Sequence, residues 1–211
     1  MIRVKICGLS TPETMEAALA ARAAYVGLMF FANSPRNVAL AKAARLADLA
    51  RGKARTVAVT VDADDRLLKD IANIVQPDLF QCHGAETPER LAAIKGLTGI
   101  EAYKVLKVRD ADHVARAKAY AGASPFIMYD AMPPKGAVLP GGNGLAFDWT
   151  ILKDAARPFM LAGGLNPGNV AEAIRVTGAD MVDVSSGVES SPGVKDIGLI
   201  RKFIEAAKRA G

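Results

Sequence analysis

The sequence predicts a single, compact (β/α)8 TIM barrel, an α/β fold, spanning residues 1–211. Short β-branched segments alternate with Ala-rich, charged segments from one end of the chain to the other. Alternation of this kind calls for a parallel sheet with helical crossovers. Eight such units divide 211 residues into roughly 26 each, tight but sufficient for a strand and its returning helix. No shift in composition marks a boundary, which favours a closed barrel over a doubly wound sheet.

The strands are expected at Ile2–Cys7, Tyr25–Phe31, Arg55–Val61, Leu79–Cys82, Glu101–Val108, Pro125–Asp130, Pro158–Leu161 and Met181–Val184. Between them, helical patterns cover Pro12–Ala23, Leu40–Arg51, Asp64–Ile74, Pro88–Lys95, Ala111–Ala119, Trp149–Ala155, Pro167–Val176 and Lys195–Arg209. Ser10-Thr11-Pro12-Glu13, Thr87-Pro88-Glu89 and Asn166-Pro167 supply helix-start signals. Gly52 and Gly178 stand where helices should stop. The stretch Ala131–Phe147 breaks the rhythm, with prolines and glycines and no periodicity. A long loop inside a compact domain reads as a binding loop or lid, or as a surface insertion.

Composition narrows the function. The chain is 51% hydrophobic and 23% charged, an ordinary soluble balance, and no apolar run approaches the ~18 residues that cross a bilayer. No secretory signal is read at the start of the sequence, where Arg3 and Lys5 interrupt the β-branched residues. Cys7 and Cys82 form neither a disulfide framework nor a metal-binding pair, and a reducing cytoplasm is the expected compartment. The net charge of +5 suits an anionic ligand, but it is spread too evenly for a nucleic-acid tail. Two histidines are too few for a histidine-built metal site.

In a barrel, active sites gather at the C-terminal ends of the strands. The residues expected there are Cys7-Gly8-Leu9, Ser34-Pro35-Arg36, Asp62, Gln81-Cys82-His83-Gly84, Lys107, Asp130, Gly163-Gly164 and Ser185-Ser186-Gly187. Small residues after the seventh and eighth strands let backbone N–H groups approach a phosphate, a recurring use of these two loops. Period-2 alternation turns Arg3, Lys5 and Cys7 to one face and Ile2, Val4 and Ile6 to the other. The apolar face must receive the helices, so Cys7 points inward or toward the mouth. On residue type alone it is a small buried hydrophobe or a reactive thiol. Asp130 closes an apolar strand and is either a strand terminator or a functional carboxyl. Arg36 is a solvated cation or a carboxylate fork, and His83 a mouth residue or a helix-start contact.

The segments KICGL (5–9), SPR (34–36), QCHG (81–84), YDA (129–131), LPGGNGLAFDW (139–149), LAGGLNPGNV (161–170), DVSSGVE (183–189) and PGVKD (192–196) together resemble the phosphoribosylanthranilate isomerase family of tryptophan biosynthesis. They span nearly the whole chain, and the joint pattern is specific where no single segment is. Two positions depart from the usual family pattern: Cys82 replaces leucine, and Asn143 stands where serine or threonine is common.

The resemblance implies an aldose–ketose isomerase that performs an Amadori rearrangement without metal or organic cofactor, because the substrate supplies its own amine. It assigns Asp130 as general acid and Cys7 as general base. Arg36 would hold the anthranilate carboxylate, and Gly163, Gly164, Ser185, Ser186 and Gly187 the phosphate. His83, Gly142 and Gly144 complete the expected substrate-binding set. An acid must keep its proton near neutral pH, which strand-end burial favours. A thiolate needs a positive neighbour, for which Lys5 on the same strand face is a candidate. The expected partner is a small phosphoribosyl substrate rather than nucleic acid or membrane, bound by a monomer or homodimer. Three rivals use other chemistry. One is a two-aspartate isomerase of aminoimidazole ribotides, which would want Asp at position 7. Another is a Schiff-base lyase working through Lys5, Lys104 or Lys107. The third is a phosphosugar-binding protein without catalysis.

Overall fold

The computed structural model describes residues 2–132 and 147–211. Eight strands form a closed parallel barrel in chain order: β1 (Arg3–Cys7), β2 (Tyr25–Phe30), β3 (Arg55–Thr60), β4 (Leu79–Cys82), β5 (Ala102–Val108), β6 (Ile127–Ala131), β7 (Phe159–Leu161) and β8 (Met181–Val184). β1 closes the ring by pairing on both sides, Cys7 with Gly27 of β2 and Lys5 with Asp183 of β8.

Alternation along each strand divides the buried side chains into two cores. Val4, Ile6, Val26, Leu28, Phe80 and Val182 point outward and pack with the helices. Cys7, Tyr25, Val57, Val59, Leu79, Tyr103, Val105, Met128, Met160 and Met181 fill the barrel itself. Each aliphatic side chain withdrawn from water contributes roughly 1.5–3 kcal/mol, so the outer ring of contacts dominates stability. The inner core is small, and polar groups can therefore occupy its upper layers.

The crossover helices are α1 (Pro12–Ala20), α2 (Leu40–Ala50), α3 (Asp65–Ile74), α4 (Pro88–Thr98), α5 (Ala111–Ala115), α6 (Val170–Thr177) and α7 (Ile197–Ala210). Thr11, Asp64, Thr87, Asp110 and Asp196 cap five of them by accepting a backbone N–H three residues on. Caps of this kind contribute about 1 kcal/mol each.

Several boundaries differ from the sequence expectation. α4 runs past Lys95 because its left-handed stop falls at Gly99. The expected helix over Ala111–Ala119 tightens after Ala115 into a 3-10 turn, Arg116–Tyr120. The helix expected after the glycine-rich loop is a single 3-10 turn, Trp149–Leu152. α6 starts at Val170 rather than Pro167, because the Asn166 side chain accepts from Gly168 N–H and holds a turn. Lys195 leaves the last helix altogether. It belongs to a hairpin of β9 (Glu189–Ser191) and β10 (Val194–Lys195), and Asp196 caps α7, which begins at Ile197. Among the described residues, no helix is long and apolar enough to cross a membrane.

Candidate active site

The C-terminal rim of the barrel collects the expected residues. Cys7 ends β1, His83 follows β4, Asp130 lies near the end of β6, and the two glycine and serine loops follow β7 and β8. Gly142 and Gly144 lie outside the described residues.

Asp130 is only 5% exposed. Its Oδ1 accepts the N–H of Ala131 at 2.9 Å, and its Oδ2 lies 3.1 Å from Nε2 of His83. That Nε2 is buried and, although close, makes no hydrogen bond among the described residues. Gly163 makes the arrangement possible. At φ +87° it presses the β7 loop onto Asp130, and a Cβ there would come 2.7 Å from Ala131 Cβ and 3.0 Å from Asp130 Oδ1.

Beneath the thiol sits a buried ion pair. Lys5, wholly buried, donates from Nζ to Asp183 Oδ1 at 2.9 Å. Burial works against the Lys5 charge, but Asp183, with Cys7 and Tyr103, outweighs it and raises the pKa. Cys7 is 4% exposed. Burial pushes its thiol above the usual 9.0, while Lys5 and Lys195 pull the other way and Asp183 adds to the rise. Gly27 gives both groups their room: a Cβ there would stand 2.9 Å from Cys7 Sγ and 3.2 Å from Lys5 Nζ.

Arg36 does not reach into solvent. Its guanidinium, 5% exposed, donates from Nε and Nη2 to the two Glu189 oxygens at 2.7 and 2.8 Å. Lys195 Nζ meets the same carboxylate at 2.6 Å and reaches Ser185 O at 2.9 Å and its Oγ at 3.2 Å. Burial alone would push the Glu189 carboxyl up, but Arg36 and Lys195 hold it below its usual value. Gly8, at φ +75°, lets the Arg36 stem cross the end of β1, where a Cβ would lie 2.7 Å from Arg36 Cδ. Arg36 Nη1 makes no hydrogen bond among the described residues.

The two loops read as phosphate-binding are in backbone contact. A Cβ on Gly187 would overlap the Leu165 carbonyl oxygen, so a hydrogen is all that fits between the β7 and β8 loops. Gly163 and Gly164 adopt φ +87° and +65°, and Ser186–Val188 forms a 3-10 turn.

Sequence reasoning missed Gly27, Asp183, Glu189 and Lys195. Gly27 carried a signal, since a lone glycine inside an apolar strand marks a close approach. Asp183 carried one too, as an acidic residue inside the MVDV strand. Glu189 and Lys195 look like ordinary surface charges until the hairpin folds over the mouth.

Eight parallel strands with acid, thiol, imidazole and guanidinium gathered at one rim define a (β/α)8-barrel enzyme. Residues 4–206 match the family model described as N-(5'phosphoribosyl)anthranilate (PRA) isomerase. The chain belongs to that family and is an isomerase of tryptophan biosynthesis. It is 54% identical to the N-(5'-phosphoribosyl)anthranilate isomerase of Rhodopseudomonas palustris (strain BisB5) over 207 residues, covering 97% of this chain and 95% of the relative. The Rhizobium meliloti (strain 1021) enzyme is 51% identical, with 98% and 97% covered. The crystal structure of the Thermotoga maritima isomerase superposes with a TM-score of 0.89 at 34% identity, covering 99% of this chain and all of that one. Another phosphoribosyl anthranilate isomerase, solved with reduced 1-(o-carboxyphenylamino)-1-deoxyribulose 5-phosphate, gives a TM-score of 0.86 at 33% identity with the same coverage.

Proposed function

We propose that this chain, as one barrel domain, converts N-(5-phosphoribosyl)anthranilate to 1-(2-carboxyphenylamino)-1-deoxyribulose 5-phosphate, with Asp130 as general acid and Cys7 as general base. Asp130 gives a proton to the furanose ring oxygen as the C1–O bond breaks, and the anilino nitrogen lone pair forms the C1=N bond. The Cys7 thiolate then takes the C2 proton. The electrons of that C–H bond form C1=C2, the C=N pair returns to nitrogen, and the resulting enolamine tautomerises to the ketone. The relative solved with a reduced product analogue supports this substrate class.

The observation that carries the assignment is the different fate of the two inward carboxyls. Asp183 is committed to Lys5 in a buried ion pair, whereas Asp130 faces the His83 imidazole, with Oδ2 3.1 Å from Nε2. Cys7 lies at the mouth end of the same strand as Lys5, whose ammonium opposes, without overcoming, the rise in the thiol pKa that burial causes. Arg36, oriented by Glu189, has Nη1 to offer the anthranilate carboxylate, and the paired glycine and serine loops suit the phosphate.

The Schiff-base reading fits less well. Lys5 is charged and fully buried, and Lys104 is bound to Glu86 at 2.7 Å. The two free, buried thiols accord with a reducing cytoplasm. For assembly, a monomer or a homodimer is the reading we carry; one relative from Thermotoga maritima is described as dimeric.

The test is a fluorescence assay that follows consumption of freshly prepared phosphoribosylanthranilate. Asp130→Asn should lose ~10²–10⁴-fold in kcat while still binding product analogues, because an amide keeps the shape but has no acid proton. Activity within a few-fold of the unmodified enzyme would remove Asp130 from the mechanism.

A further inference from the structure

Asp130 stands at the end of a chain of buried polar side chains. Gln81 lies on the inward face of β4, 1% exposed, with its register partners Val59 on β3 and Tyr103 on β5. Val59 is apolar, so the amide turns elsewhere. The Tyr103 hydroxyl donates to Gln81 Oε1 at 2.7 Å, and Gln81 Nε2 lies 3.2 Å from Nδ1 of His83. The other ring nitrogen, Nε2, stands 3.1 Å from Asp130 Oδ2. Four side chains from β4, β5, the β4–α4 loop and β6 thus form a line that ends on the acid.

Each link has a direction. Burial raises the pKa of Tyr103, so its hydroxyl stays protonated and available as a donor. With Oε1 taken by that hydroxyl, the amide shows His83 an N–H. A donor facing Nδ1 requires a lone pair there, which places the ring proton on Nε2 and disfavours the doubly protonated ring.

We propose that Gln81 is a positioning residue that keeps His83 neutral with its proton on Nε2, facing Asp130. This deepens the assignment of Asp130 as the acid and rests on it. When Asp130 gives up its proton, negative charge appears on its carboxylate. A neutral Nε2–H donor then gains strength, since hydrogen bonds to an ionised acceptor are roughly twice as strong as neutral ones. The gain arises as the proton leaves, which is where an interaction accelerates a reaction. An imidazolium in the same place would hold Asp130 as a carboxylate before substrate arrived and so remove the acid. The amide therefore does what an ion pair could not.

The experiment is two-dimensional NMR of the full-length enzyme labelled with 15N-histidine, His83 being assigned by its absence from a His83→Asn variant. In the unmodified enzyme, His83 should show a single neutral tautomer with the proton on Nε2. Gln81→Met retains the length but removes both hydrogen bonds. It should give a mixture of tautomers and a kcat lowered about tenfold or more, with KM held within about twofold. Gln81→Glu should still accept from Tyr103 but present an acceptor to Nδ1. His83 then becomes doubly protonated and kcat falls further than in Gln81→Met.

A proton on Nδ1, or a tautomer mixture, in the unmodified enzyme overturns the proposal even if neither variant folds. A lowered kcat in Gln81→Met with the tautomer unchanged also overturns it, because Gln81 would then only pack. Failure of the acid assignment is a separate result: an active Asp130→Asn removes the acid and leaves the tautomer measurement standing.

Discussion

Cys7 shows how much one residue's role depends on what surrounds it. If it only fills space, Cys7→Ser costs a little stability and leaves kcat intact. As the C2 base it cannot be replaced by serine, whose hydroxyl stays protonated. In that case kcat should fall by ~10²-fold or more with KM little changed. Steady-state kinetics decide between them, and a serine enzyme with full kcat ends the assignment. The thiol's environment adds a pH test. Burial raises the Cys7 pKa, so iodoacetamide inactivation in a Cys82→Ala background should keep accelerating beyond pH 9. A plateau near pH 8 would show that Lys5 outweighs burial. Arg36 gives a binding test. Arg36→Met should raise KM by about 10- to 100-fold, the equivalent of losing a charge-assisted contact of 1.5–3 kcal/mol. An unchanged KM would place the substrate carboxylate elsewhere. Arg36, Cys7 and Asp130 were all legible as candidates because their residue types stand out at strand ends. Their partners were not, since Glu189 is 153 positions from Arg36 along the chain.

Elements place these groups, and the β7 and β8 loops do so with almost no tolerance. Gly187 lies against the Leu165 carbonyl, so Gly187→Ala should force the two loops apart. If they cradle the phosphate, KM should rise more than kcat falls, and inorganic phosphate should inhibit the variant less than the unmodified enzyme. Equal inhibition of both would remove the phosphate from these loops. Most strands and most helices were readable, because alternation and capping residues are local signals. The errors fell where tertiary contacts override local preference. Lys195 follows the pattern of the last helix, yet it lies in a hairpin because its ammonium bonds Glu189 and the Ser185 carbonyl. Asn166-Pro167 resembles a helix start but closes a turn first, which delays α6 to Val170.

For the whole molecule, the Lys5–Asp183 pair is the clearest cost of building a site inside a barrel. Two charges held out of water contribute little net stability, but losing one partner leaves the other stranded. Lys5→Met should therefore destabilise the fold by about 3–5 kcal/mol, and Lys5→Met with Asp183→Leu should recover most of that. Urea unfolding of the two variants measures both values, and equal stability for single and double variants would show the pair is solvated. By itself the sequence determined the eightfold alternation, the closed barrel, the inward face of β1 and the rim on which the chemistry falls. These follow from periodicity, which acts between neighbours along the chain. Only the tertiary structure decided that Asp183 is spent on Lys5, that Arg36 is oriented by Glu189, and that Tyr103, Gln81, His83 and Asp130 form one line. Those pairings join strands and loops far apart in the chain, and barrel closure brings them within hydrogen-bonding distance.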